Sequence, residues 1–167
     1  MEFIMTYGWA ILVVLAAIGA LSYFGVLNPD FLVPDKCFFG QGLPCIEKPS
    51  IVAGDDNIDI VLMNGLSHDI LMDVNQEIAI IKSDGCHDSS ATLEQVVVKD
   101  GEGQFHTYTR SGNDVADIKV TWPFTLRIHC PDLVRGKKLY ADVSFKYLSE
   151  DTLMEHYTTG HISGRVG

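Results

Sequence analysis

The sequence predicts an α+β chain: a long N-terminal hydrophobic α-helix followed by an antiparallel β-sandwich-like globular domain. Three observations predict it. The first 27 residues, MEFIMTYGWAILVVLAAIGALSYFGVL, carry a single charged side chain, Glu2. Beyond position 50 the chain breaks into short runs rich in β-branched and aromatic residues, several alternating apolar with polar, with no second helical period. Turn signals, Asn64-Gly65, Asp84-Gly85, Asp100-Gly101 and Ser111-Gly112, fall between or beside those runs. The organisation expected is a hydrophobic assembly or transmembrane helix over 1–27, a linker and Cys-stapled loop over 28–49, and a β-rich globular outer domain over 50–167.

The helix comes first. Phe3 to Leu27 as one helix would be about 37 Å long, enough to cross a bilayer core with some tilt. Trp9, Ile11, Leu12, Val13, Val14 and Leu15 point to most sides of a helical wheel, so the segment must bury itself all round, in lipid or among other helices. Gly8, Ala10, Ala16, Ala17, Gly19, Ala20, Ser22 and Gly25 leave room for close helix packing. No Lys or Arg precedes Lys36, which does not fit a cleaved secretory signal, so the segment is expected to stay in the mature chain. Asn28-Pro29 is a plausible stop.

Glu2 needs a cation or water, because an unpaired charge in an apolar medium costs several kcal/mol. Two readings supply one. Either Glu2 sits at a membrane surface and favours the helix N-terminus through the dipole, or the helix enters a bundle of identical helices and Glu2 neutralises a neighbour's α-amino group. In the second reading the carboxylate fixes the register of assembly.

From Asn28 to Pro49 the composition shifts to Pro, Gly and Cys. The four cysteines, Cys37, Cys45, Cys86 and Cys130, all follow the helix, and an even count in an exported domain favours disulfides. Three pairings are open. Cys37 and Cys45 bracket FFGQGLP, a stretch suited to a compact loop, which leaves Cys86 for Cys130. Zinc is the rival, but there is no Cys-x-x-Cys pair.

Strands are expected at IDIVLM from Ile58, HDILMDV from His68, EIAIIK from Glu77, EQVVVK from Glu94, GQFHTYTR from Gly103, DIKVTWPFTLRIHC from Asp117 and KLYADVSFKYL from Lys138. The last alternates best, with Leu139, Ala141, Val143, Phe145 and Tyr147 facing one way. Seven or so short strands at this spacing argue for an antiparallel sandwich or barrel-like domain.

The net charge of −10 falls almost wholly beyond Leu27 and disfavours nucleic acid or anionic headgroups as partners. Asp55, Asp56, Asn57 and Asp59 form an oxygen-rich cluster that lacks the Gly and distal Glu of an EF-hand loop, and a solvated turn explains it better. His68 with Asp69, His87 with Asp88, and His156 with Glu155 offer acid-base or metal-ligating pairs, yet neighbours on a strand point to opposite faces. There is no Gly-x-Ser-x-Gly elbow, phosphate-cradling Gly loop or His-Glu-x-x-His. No enzymatic activity, metal or cofactor is expected. A membrane-anchored sandwich that binds a partner as a monomer is the alternative to a filament subunit, with an anchored hydrolase third.

The string Met-Glu-Phe-Ile-Met-Thr-Tyr-Gly-Trp-Ala-Ile-Leu, residues 1–12, resembles the N-terminal segment of archaeal type IV pilin-like proteins, and the likeness runs to about Pro29. Members of that family pass through a class III signal peptide cut by a prepilin peptidase. Their mature chains carry a few more residues ahead of the Glu that Glu2 matches. The resemblance implies a structural role: helices in the core of a homopolymer, β domains on its outer wall, at the cell surface and inserted in the membrane before assembly, serving adhesion or motility. It implies Glu2 as the assembly residue, with Phe3, Tyr7, Trp9, Ala16 and Gly19 on the same helix as further assembly residues. It also implies a prepilin peptidase and an assembly ATPase with its platform as partners.

Overall fold

The computed structural model of the protein describes residues 2–23, 34–40, 42–81, 86, 91–112 and 114–167; the side chains of residues 2–6 and 81 lie outside that description. The chain divides into two compact units, Met1–Pro34 and Asp35–Gly167.

In the first unit the run of Ala, Leu, Ile and Val, unbroken by Pro, forms helix α1, Glu2–Tyr23. The helix expected over 1–27 thus carries on to Tyr23; Phe24 to Leu27 and the Asn28-Pro29 stop lie outside the described residues. The expectation of a membrane-length helix is corrected. Among the described residues no helix is long and apolar enough to cross a membrane.

The second unit corrects the fold class as well. Among the described residues the chain is mostly β, and it is not a long helix joined to one sandwich. The strands are β1 (Lys36–Phe39), β2 (Ser50–Val52), β3 (Asn57–Met63), β4 (Ile70–Asp73), β5 (Ala79–Ile81), β6 (Thr92–Lys99), β7 (Phe105–Thr109), β8 (Val115–Ile118), β9 (Pro123–His129), β10 (Lys138–Ser149) and β11 (Glu155–Arg165). They form two sheets. One runs β1-β11-β10-β4-β8 with β5 also paired to β10, the other β2-β3-β9-β6-β7. Every pairing between these strands is antiparallel.

Alternation explains most of this. In β3, Ile58, Ile60 and Leu62 are buried between half-exposed neighbours, and β9 repeats the pattern with Phe124, Leu126 and Ile128. In β10, Leu139, Ala141, Val143 and Phe145 turn inward as their spacing predicts, with Tyr147 half-buried beside them. These residues join one hydrophobic core with Ile70, Met72, Val96, Val98, Ala116 and Ile118.

The predicted run from Asp117 to Cys130 is two strands, β8 and the longer β9. Thr121, at φ 67°, turns the chain between them, and the Trp122 N–H donates to the Lys119 carbonyl. A β-branched residue is rarely left-handed, and Asn64 holds it there: its carbonyl accepts the Thr121 N–H at 2.7 Å and its N–H donates to the Trp122 carbonyl at 3.0 Å. The buried Asn64 amide also donates to the carbonyls of His68 and Ile118, and its Oδ1 accepts the Leu66 N–H. Asn64, part of a pair that reads as a turn signal, is therefore an interior clamp on two connections, β3–β4 and β8–β9. Asp100-Gly101 does open the β6–β7 hairpin, where Asp100 Oδ1 accepts the N–H groups of Glu102 and Gln104.

Candidate functional site

The assembly residues are carried by α1. Glu2 and Phe3 belong to it, but their side chains lie outside the described residues. Tyr7, Trp9, Ala16 and Gly19 are all exposed, and so is every other described side chain of the helix. Successive helical positions turn by about 100°, so Ile11, Leu12, Val13, Val14 and Leu15 cover the whole circumference. Trp9 is 73 % exposed, Leu15 63 % and Ile11 60 %. A Cβ placed on Gly8 or Gly19 would meet nothing within 4 Å, so both sites leave space for another chain's backbone. A helix of this kind has no face suited to water.

Two disulfides staple the second unit, Cys37–Cys45 and Cys86–Cys130, the pairing read from the loop composition. No described cysteine is free. Disulfides of this number are consistent with an oxidising, extracellular environment.

The polar candidates are dispersed. Asp59, on β3, is bound in fork geometry by Arg127 on β9, with Nε and a terminal nitrogen each at 2.8 Å, so one carboxylate of the oxygen-rich cluster is already neutralised. Asp55 and Asp56 lie in the turn between β2 and β3. The His87-Asp88 pair lies outside the described residues. Glu155 pairs with Lys146 across the β10–β11 ladder. Asp69 serves a structural ring instead: its Oδ1 accepts the Val120 N–H at 2.7 Å, and its Oδ2 lies 3.2 Å from Lys119. That backbone hydrogen bond, then the lysine, holds the Asp69 carboxyl below the usual carboxylate range, against the opposing pull of burial.

Lys119 is the residue that the sequence does not announce. Its ammonium meets Asp69, Asp117 at 3.0 Å and Glu150 at 3.1 Å, and these partners push its pKa upward. The three carboxylates come from places far apart in sequence, so no local signal marks the ring. Asp100 is likewise held low by His106, 2.9 Å away.

Among the described residues no group of three or more His, Cys, Asp or Glu is placed to hold a metal ion. Comparison of the chain with family models, with curated proteins and with solved structures finds no match.

Proposed function

We propose that this chain is the structural subunit of an archaeal type IV pilus-like cell-surface filament, in which α1 helices from many copies pack into a core and the β units form the exposed wall, for adhesion or motility. One observation carries the reading: α1 is apolar on every side and exposed along all its described length. A cylinder of that kind is stable in water only against other apolar surface, and identical copies supply it. The residue pattern from Met1 to Leu12 supports the same reading through its resemblance to archaeal pilin-like chains, as do the two disulfides and the acidic β unit of a crowded external surface.

Processing by a prepilin peptidase, insertion in a membrane before assembly, and extrusion by an ATPase with its platform rest on that resemblance alone. The identical subunit is the partner that the helix itself calls for. Negative-stain microscopy of material sheared from cells producing the chain tests the proposal. Thin filaments containing this chain, absent or sparse in Glu2→Ala, are expected; filament yield unchanged by Glu2→Ala removes the carboxylate from assembly. Chain found only as monomer in the surface fraction points instead to an extracellular binding protein.

A further inference from the structure

We infer that His68 and His156 form a site for one transition-metal ion of the class that imidazole favours, Zn²⁺, Ni²⁺ or Cu²⁺. The two histidines belong to different local pairs, His68-Asp69 and His156-Glu155, and the fold separates each from its carboxylate. Asp69 is engaged by Val120 and Lys119, and Glu155 by Lys146. What converges is the two imidazoles, with ring centres 6.5 Å apart and planes 38° apart.

Three features make the pair differ from an ordinary surface contact. The Nε2 of His68 is buried and has no hydrogen-bond partner among the described residues. A buried polar nitrogen in that state is unfavourable, and an ion or water is the usual reason for one. Next, His106, His129 and His161 each face a carboxylate, of Asp100, Glu94 and Asp142 respectively, whereas neither His68 nor His156 forms a described ion pair. Finally, both residues are tied into the fold. Asn64 donates to the His68 carbonyl at 3.1 Å, and His156 stacks on Tyr147, its direct cross-strand partner, at 5.4 Å. Tyr147 in turn packs against the core.

The geometry decides the ligand class. Metal–nitrogen bonds of about 2.0 to 2.1 Å put the centres of two rings sharing an ion roughly 5 to 6 Å apart. A small turn of the exposed His156 ring towards His68 closes the remaining gap. With two nitrogen ligands and no carboxylate, the pair suits borderline metals and not Ca²⁺ or Mg²⁺, which take oxygen. Water completes the coordination, and the exposed histidine provides the way in.

The test is calorimetric titration of the metal-stripped full-length chain, kept in detergent, with Zn²⁺ and separately with Ca²⁺. Mildly alkaline buffer keeps free imidazole unprotonated. One Zn²⁺ per chain is expected, with no Ca²⁺ at that site. His156→Ala, at an exposed position, and His68→Gln should each weaken Zn²⁺ binding about tenfold or more. His161→Ala should leave it unchanged. Circular dichroism of each variant separates loss of the site from loss of the fold. Absence of saturable Zn²⁺ binding, affinity unchanged in a folded His156→Ala, or loss of binding in His161→Ala would overturn the assignment.

Discussion

Gly160 and Asp69 show how single positions govern the β unit. A Cβ on Gly160 would lie 2.3 to 2.5 Å from the Phe39 ring, which packs flat against β11 there. Gly160→Ala must push that ring out of the core, at a cost of about 1 to 3 kcal/mol. Gly54→Ala, where nothing lies within 4 Å, is the matched control and should shift a urea midpoint little. Equal shifts in the two would remove the Phe39 contact from the explanation. Asp69 predicts a pH dependence. Its folded pKa is depressed, so its contribution is complete above the ordinary carboxylate value of about 4 and is lost as pH falls through the lower folded value. Asp69→Asn should therefore lower stability near neutrality and flatten its acid limb, with parent and variant converging at low pH. An acid limb as steep as that of the parent chain would assign it to other carboxylates.

At the level of elements, legibility followed contiguity. β3, β9 and β10 were readable because inward and outward residues alternate along one uninterrupted stretch. β11, eleven residues long and central in its sheet, was not: EHYTTGHISGR has two glycines and few large apolar residues. Of its residues Ile162 joins the core, while Phe39 and Ile51 fill the places that side chains on Gly160 and Gly164 would take. β1 and β2 are too short for a period to register. α1 as an apolar element was legible for the same reason as β10, whereas the Lys119 ring and the His68–His156 pair depend on strand pairing that no local pattern encodes. Two element-scale predictions follow from these contacts. The Cys86–Cys130 bridge closes a 44-residue separation against 8 for Cys37–Cys45, so on the chain-entropy account its removal should cost roughly 1 to 2 kcal/mol more. Denaturant titration of the paired Cys→Ser variants measures this, and the reverse order would contradict it. Ala16→Leu or Gly19→Leu on α1 should hinder polymerisation while the β unit melts as before. Filaments formed at the normal rate would place those residues away from any helix contact.

The molecule as a whole joins one unit that cannot satisfy itself in water to one that can. A chain beginning at Pro34 keeps all eleven strands, both disulfides and the hydrophobic core. It should be a soluble, monomeric, all-β protein with a cooperative thermal transition. Aggregation or a molten spectrum, rescued by the missing N-terminal peptide, would mean that a segment from one copy completes a sheet in the next. The same two arrangements are separated most directly by helical reconstruction of the polymer from electron micrographs. The expected reconstruction has α1 of every subunit at the filament axis, side chains from Trp9 to Leu21 packed against α1 of neighbouring copies, and both sheets intact on the outer wall. Density placing α1 on the outer surface, or an extended N-terminal strand inserted into a neighbour's sheet, would contradict it.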